Sequence, residues 1–111
     1  MAQSNPPFMS GVPELLLLRL LDQGEMYGYE LVRSIRKATG EAISIGEGVI
    51  YPVLHGLERN GALKSRRKPV GGRTRVYYSL TAKGRTRLEK LQTDWRRIQG
   101  GITSALESGY A

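Results

Sequence analysis

The sequence lacks cysteine altogether and contains a single histidine, His55. Without cysteine the chain forms neither a disulfide scaffold nor a thiolate metal site, and it has no thiol nucleophile. One histidine with no carboxylate cluster beside it does not make a metal site, so we expect no metal and no cofactor. A nucleophile with its base, or a paired acid and base, is also missing, and we therefore expect that the protein is not an enzyme.

Long apolar segments are absent as well. The longest purely apolar run, Leu15–Leu18, is far shorter than the ~20 residues that span a bilayer, so we expect no membrane partner. Met1–Ser10 has neither a basic start nor a long apolar stretch, which predicts no secretory signal. The lack of cysteine fits a cytoplasmic location. A chain of 111 residues, 40% of them hydrophobic, suits one folded domain.

Acidic residues are missing from one long segment. Between Arg59 and Leu88 the chain has ten basic and no acidic residues, whereas the remainder has seven basic and ten acidic ones. This segment therefore accounts for the net charge of +7. Pro69–Gly72 divides it, which predicts a hairpin with two basic arms, a shape suited to phosphate contact. A solvated surface is the alternative interpretation of such a charge run.

The spacing of apolar residues predicts four helices. The first three cover Glu14–Asp22, Gly28–Thr39 and a segment from Gly48 or Val49 to Asn60. Pro52 limits where the third helix begins, because proline is tolerated only in a first turn. The face of that helix expected to be buried consists of Val49, Ile50, Val53, Leu54 and Leu57. Thr81 is the expected N-cap of the last helix, in which Gly100–Gly101 predicts a bend or a frayed end.

The predicted extended segments are short. We expect one at Ala42–Ile45 and two strands, Ala62–Arg67 and Thr74–Leu80, which the turn at Pro69–Gly72 joins into a hairpin. Because side chains alternate along a strand, we expect Tyr78 in the core and Tyr77 outside it.

The last helix carries a narrow apolar stripe. Its residues are spaced by 3, 4, 3, 4 and 3 positions: Leu88, Leu91, Trp95, Ile98, Ile102 and Ala105. This period of 3.5 is typical of helices that pair along one seam, but the stripe is too short to hold two chains alone. The first helix is apolar nearly all round, and we expect it to supply the rest of the contact between the two chains. The predicted dimerisation residues are Leu15, Leu18, Leu88, Leu91, Trp95, Ile98 and Ile102.

The order of helix, helix, short strand, helix and basic hairpin is the plan of a winged helix-turn-helix. In that plan the third helix enters the major groove and the hairpin, or wing, touches the backbone or the minor groove. A closer likeness rests on the segments Tyr27–Leu31, Val49–Leu54, Leu57–Leu63, Gly71–Arg73 and Val76–Gly84. Together they resemble the PadR family of bacterial transcription regulators, over residues 12–95.

The resemblance implies a mainly α (α+β) fold, a winged helix-turn-helix with one long C-terminal dimerisation helix. The expected parts are a flexible arm over residues 1–10, a DNA-binding domain over 11–81 and the dimerisation helix over 82–111. The implied protein is a homodimeric repressor, similar to the short, multidrug-sensing members with a single C-terminal helix.

In those members a tryptophan of the last helix lies at the dimer centre and stacks on flat aromatic ligands. Trp95 lies at the matching distance from Gly84. The effector-binding positions that carry over are Phe8, Gly11, Leu15, Leu88, Leu91, Gln92, Trp95 and Gln99. Leucines and a glutamine stand where those members have smaller or aromatic groups, so we expect a narrower or closed pocket. The alternative is that Trp95 is only an anchor of the dimer seam.

The expected partner is double-stranded DNA with a palindromic operator, because dimer symmetry sets two half-sites roughly 34 Å apart. Few residues at the start of the third helix are strong base readers, so we expect part of the specificity to come from DNA shape. The expected DNA-binding residues are Ser44, Glu47, Gly48, Tyr51, His55, Lys64, Arg66, Arg67, Lys68, Arg73, Arg75 and Tyr77. Tyr51 is also expected to be partly structural.

Two other functions stay open on the sequence. A small basic protein also suits structured RNA, for instance as a ribosome-associated factor, although the deep, narrow major groove of duplex RNA does not admit a helix. The other alternative is a module that only dimerises with another regulator.

Overall fold

The computed structural model of the chain describes residues 7–109. A short 3-10 helix, Pro7–Met9, precedes α1 (Val12–Gln23), β1 (Met26–Tyr27), α2 (Gly28–Ala38), α3 (Glu47–Arg59), β2 (Leu63–Val70), β3 (Arg73–Leu80) and α4 (Ala82–Glu107). This order confirms the predicted winged helix-turn-helix with a long last helix. Residues 1–6 of the predicted arm and residues 110 and 111 of the predicted dimerisation segment lie outside the described residues.

Helix α1 is the centre of the protomer. Pro13 lies in its first turn, where its missing N–H costs nothing. The helix packs against α2, α3, β3 and α4. Its buried residues are Leu17, Leu18, Leu20 and Leu21. The all-round apolar character, which predicted contact with a partner subunit, is therefore largely used within one protomer.

The rest of the core comes from every other helix and from the hairpin. One connected cluster joins the α1 leucines to Leu31, Ile35, Ile45, Ile50, Leu54, Leu57, Ala62, Leu63, Tyr78 and Leu88. No described residue contributes a buried charged or polar side chain to this cluster. The core is thus apolar throughout, and the charged residues lie around it.

The three strands form one antiparallel sheet in the order β1–β3–β2. Strands β2 and β3 are longer than predicted, and only Gly71 and Gly72 remain between them. Both glycines have positive φ, 55° and 79°, as the tightest hairpin turns require. Pro69 was expected in the turn, but it lies in β2 opposite Thr74. Strand β2 is an edge strand, where proline is tolerated because one side of the strand is unpaired.

The predicted extended segment Ala42–Ile45 forms no strand, and β1 takes its place in the sheet. The free edge of β3 is occupied by Met26 and Tyr27, which pair with Tyr78 and Tyr77. The apolar spacing in 42–45 reflects insertion into the core instead, since Ile45 is buried. The predicted extended segment was wrong because Ile45 is held by burial in the core and not by pairing with another strand.

Helix α3 begins at Glu47, one or two residues earlier than predicted, so Pro52 lies in its second turn. The amides of Val49 and Ile50 both donate to the carbonyl oxygen of Gly46, which closes the first turn. Val49 was expected on the buried face, but its side chain is 46% exposed. It precedes the stripe of Ile50, Leu54 and Leu57 that reaches the core, and it therefore lies at the open end of the helix.

Helix α4 begins at the predicted cap. The hydroxyl oxygen of Thr81 accepts a hydrogen bond from the amide of Gly84 at 3.1 Å. The helix continues through Gly100–Gly101 to Glu107, so the expected frayed end does not occur there. Two ion pairs, Arg87–Glu14 and Arg85–Asp22, tie its first turns to α1. Within residues 7–109 no helix has the length and apolarity to cross a membrane.

Candidate nucleic-acid interface

The hairpin of β2 and β3 has two different faces. Residues directly opposite each other in an antiparallel pair share a face. Ser65 lies opposite the buried Tyr78, and its hydroxyl donates to a carboxylate oxygen of Glu58 in α3, so this is the inner face. The inner pairs are Ser65–Tyr78, Arg67–Val76 and Pro69–Thr74. The outer pairs are Lys64–Ser79, Arg66–Tyr77, Lys68–Arg75 and Val70–Arg73.

A groove runs between β3, the junction of β1 with α2, and α3. It has a volume of about 450 Å³ and is lined by Tyr27, Gly28, Tyr51, His55, Thr74, Arg75, Val76 and Tyr78. The groove brings together residues from α3 and from the wing, two of the elements predicted to contact DNA. Of the predicted DNA-binding residues, Tyr51, His55 and Arg75 line it.

Tyr51 has both a packing role and an exposed part. Its ring lies so close to Gly28 that a Cβ added there would come within 2.3 Å of the phenol oxygen. Burial raises the pKa of Tyr51 above its ordinary value, and the negative charge of Glu47 raises it further. The side chain therefore keeps its phenol proton and remains a hydrogen-bond donor at neutral pH. His55 follows one turn later, with its ring centroid 6.2 Å from that of Tyr51.

The residues at the start of α3 are open to solvent. Ser44, Glu47 and Gly48 are exposed, as is His55. Ser44 lies in the segment before the helix and the other two in its first turn. The side chains of Ser44, Glu47 and His55 have no hydrogen bond or ion pair with another residue in the described part of the chain. These side chains are free to meet a ligand.

Three cations of the wing already have partners on its outer face. Arg66 pairs with Glu25, with 2.9 Å between Nε and Oε2. The Lys68 ammonium lies 5.0 Å from the ring centroid of Tyr77, and the Arg75 guanidinium lies 4.3 Å from that of Tyr27. The two rings meet edge to face at 5.5 Å.

The other three cations of the wing have no such partner among the described residues. Lys64, Arg67 and Arg73 are exposed, and among residues 7–109 they have no ion pair, side-chain hydrogen bond or ring contact. The six predicted basic residues of the wing thus divide into three that have a partner and three that have none within residues 7–109. Tyr77, also a predicted DNA-binding residue, is the partner of Lys68.

Apolar pockets surround Trp95. The largest has a volume of about 420 Å³ and is lined by Phe8, Met9, Val12, Leu15, Leu16, Ala42, Ile43 and Trp95. A second, of about 220 Å³, brings together five of the predicted effector residues, namely Phe8, Gly11, Leu15, Leu91 and Trp95. Gln92 lines a third, of about 240 Å³, with Leu15 and Trp95.

Two predicted effector residues and one further dimerisation residue lie elsewhere. Leu88 is 3% exposed and Leu18 is completely buried, so both belong to the hydrophobic core of the single chain. Gln99 lines none of these three pockets and donates a hydrogen bond to Thr103. The predicted seam residues that remain on the surface are Trp95, Ile98 and Ile102, about half exposed, with Leu91 half-buried beside them.

Comparison with known proteins identifies the family. Residues 17–90 match the transcriptional regulator PadR-like family. The chain belongs to this family. Over 106 residues, this PadR-family chain is 28% identical to the transcriptional regulator Rv3488 of Mycobacterium tuberculosis, a match that covers 92% of the chain and 96% of that protein.

Solved PadR-like structures have the same fold. A transcriptional regulator from Clostridium thermocellum matches with a TM-score of 0.83 and 29% identity, over 89% of this chain and 97% of that one. Bacillus subtilis PadR, solved in complex with operator DNA, matches with a TM-score of 0.68 and 28% identity, over 73% of this chain and 46% of that one. The family is one of transcriptional regulators, which agrees with the expectation that the chain is not an enzyme.

Sequence reasoning missed three residues of the PadR-family wing region. Glu25 and Tyr27 hold cations of the outer face, and Glu58 joins α3 to the inner face. The one available signal was Tyr27, which begins a motif of the family. The two carboxylates gave no signal, because each meets its partner only after the hairpin has folded against the helices.

Proposed function

We propose that this PadR-family regulator binds operator DNA as a homodimer and represses transcription in the cytoplasm. We further propose that a small aromatic or apolar effector at the dimer interface relieves the repression. The observation that carries the DNA step is the set of unpaired wing cations, Arg67 and Arg73 above all, together with the exposed residues at the start of α3.

In the proposed DNA binding, phosphate contacts position the protein and base contacts read the sequence. Unpaired arginines neutralise phosphates and release counterions, which fixes the register of the protein on the duplex. Ser44, Glu47 and Gly48 are at the end of α3 that would enter the major groove. None of these is an arginine or an asparagine, the residues that read guanine and adenine best. Part of the specificity then comes from DNA shape and deformability. The operator complex of Bacillus subtilis PadR supports this step by analogy.

The dimer step rests on the surface of α4. Trp95, Ile98, Ile102 and Leu106 are large apolar residues on one helix, and they are between 45% and 81% exposed. A second copy of the helix covers this stripe in the proposed dimer and sets the distance between the two wings. An exposed stripe of this length on a single helix is typical of a protein interface.

The effector step rests on the pockets beside Trp95. The largest of the pockets lined by Trp95 touches Ile43, which lies four residues before the start of α3. The Ile43 amide donates to the Thr39 hydroxyl at 3.1 Å, and that hydroxyl donates to the Ile35 carbonyl at 2.8 Å. A ligand in the pocket therefore contacts the segment that connects α2 to α3. It lowers DNA affinity if it binds the conformation that does not fit the operator more tightly.

A salt titration tests the DNA step. We expect Arg73→Gln to weaken binding to all duplexes and to reduce the slope of log affinity against log salt by about one. Lys90→Gln is the control, because Lys90 is exposed on α4, outside the wing, and is paired with Asp94. Equal slopes for wild type and Arg73→Gln, or tighter binding to duplex RNA of the same length, would contradict the proposal.

The single tryptophan makes the effector step measurable by fluorescence. We expect planar naphthalene derivatives to quench Trp95 and to weaken operator binding in the same concentration range. Quenching without any change in operator affinity would leave Trp95 as an interface anchor and would contradict the regulatory step.

A further inference from the structure

The ion pair between Glu25 and Arg66 crosses the whole width of the sheet. Arg66 belongs to the edge strand β2, and Glu25 directly precedes β1 at the opposite edge, with β3 between them. The guanidinium donates from both Nε and Nη2 to the two carboxylate oxygens. Such a bidentate pair fixes the orientation of the arginine side chain. To reach Glu25, Arg66 passes its register partner Tyr77 on the outer face.

The surroundings of the pair restrict Arg66 further. Lys68 and Arg75 occupy the faces of Tyr77 and Tyr27, which lie edge to face beneath the outer side of the hairpin. Of the described residues, only two carboxylates contact the hairpin, Glu58 on the inner face and Glu25 on the outer face. Glu25 is thus the acidic group on a face that otherwise carries cations.

We infer that Glu25 is a positioning residue that decides which cations of the wing meet DNA. It holds Arg66 against the outer face of the sheet, and the phosphate contacts fall to Lys64, Arg67 and Arg73, which have no partner of their own within residues 7–109. The inference rests on the proposed DNA binding and names a specificity device within it. By removing one cation from the unpaired set, Glu25 limits the affinity that does not depend on sequence.

The directions in which the pKa values of the pair are shifted agree with this assignment. The hydrogen bond from Arg66 lowers the pKa of Glu25 below its ordinary value, and the positive charges of Arg66 and Lys68 lower it further. The carboxylate therefore stays ionised at neutral pH and keeps its hold on the arginine. The same hydrogen bond raises the pKa of Arg66.

The test compares salt slopes on a promoter fragment selected from the source genome and on a random duplex of equal length. We expect Glu25→Gln to free Arg66 and to steepen the slope by about one, which is about a fourfold change in relative affinity between 50 and 200 mM salt. Binding to the random duplex should gain more than binding to the promoter fragment. We expect Arg66→Gln to leave the slope unchanged, and the double variant to return it to the wild-type value.

Glu14→Gln is the matched control. Glu14 accepts a similar bidentate pair from Arg87, with 2.7 Å between Nε and Oε2, and both carboxylates are 27% exposed. This pair joins α1 to α4 and not to the wing, so its loss should not change the salt slope. A slope that steepens equally in both variants would show a general effect of net charge and would overturn the inference.

A second measurement reports the pair itself. By NMR we expect the pKa of the Glu25 carboxyl to rise towards its ordinary value in Arg66→Gln. An unchanged Glu25 pKa, or a slope that falls in Arg66→Gln as it does in Arg73→Gln, would overturn the inference. If wild type binds DNA and Arg73→Gln flattens the slope, those results leave the proposed function intact. If wild type binds no duplex, the proposed function itself fails.

Discussion

At the scale of single residues, the contact between Tyr51 and Gly28 joins the exposed side of α3 to the start of α2. The Tyr51 ring fills the space that any other residue at position 28 needs for its Cβ. This explains why glycine stands at the first position of a helix, where it contributes less to helix stability than alanine. The two helices of the helix-turn-helix are thereby held in one relative position by an aromatic residue that also faces the groove.

We predict that Gly28→Ala destabilises the protein by about 1–3 kcal/mol, because the added methyl group overlaps the Tyr51 ring. Urea denaturation monitored by circular dichroism measures the loss. Gly48→Ala is the control, since a Cβ at that exposed position of α3 meets no atom within 4 Å. It should be neutral or stabilising, because alanine favours a helix. Equal free energies of unfolding for the two variants would show that the Tyr51 ring does not exclude a side chain at position 28.

Sequence reasoning at this scale succeeded where local geometry decides. Strand alternation correctly placed Tyr78 in the core, since neighbouring side chains must point to opposite faces. It failed for Val49, because the periodicity of a helix does not show where the core ends along its axis. The pairing of Arg66 with Glu25 joins residues separated by 41 positions, and no local pattern encodes such a contact.

At the scale of elements, Thr81 links the end of the sheet to the start of α4. Its hydroxyl oxygen accepts from the Gly84 amide, and the hydroxyl lies 2.6 Å from the Gly61 carbonyl oxygen, to which it donates. One side chain therefore caps the helix and attaches it to the turn before β2. The direction in which α4 leaves the domain depends on these two hydrogen bonds and on the ion pairs with α1.

We predict that Thr81→Ala lowers the free energy of unfolding by about 1 kcal/mol, because the first turn of α4 loses its cap. The midpoint of a urea titration measures the change. Thr86→Ala is the matched control, since that hydroxyl donates only to the Ala82 carbonyl within the same helix. A loss as large in the control as in the capping variant would contradict the prediction.

The helices and the hairpin were predictable from sequence because each has its own signal: apolar spacing, a cap or a pair of glycines. The small strand β1 was not, since Met26–Tyr27 is only two residues long and is a strand only because it pairs with β3. The three pockets beside Trp95 were predictable only in part. Ala42 and Ile43 join the largest pocket through the packing of the α2–α3 segment, which the sequence does not specify.

At the scale of the whole molecule, the protomer is extended. Its Cα radius of gyration is 15.8 Å, larger than the roughly 13 Å of a compact domain of about 100 residues. The long α4 is the cause, because its contacts within the protomer are with α1 and the sheet, and the core residue Leu88 lies near its start. The second half of the helix carries Ile98, Ile102 and Leu106 on its surface.

We predict that Ile102→Glu converts a dimer into a monomer, since a charge in the middle of the apolar stripe is buried without a partner when two copies meet. Sedimentation equilibrium measures the mass. Ser104→Glu is the matched control, because it adds the same charge to an exposed position off the stripe. The monomer keeps its own core and should retain its helical content, but it presents one wing where the dimer presents two. Its salt slope on the promoter fragment should therefore fall to about half, whereas Ser104→Glu should bind as wild type does. A wild-type mass equal to that of one chain, or equal slopes for both variants, would contradict the proposed dimer.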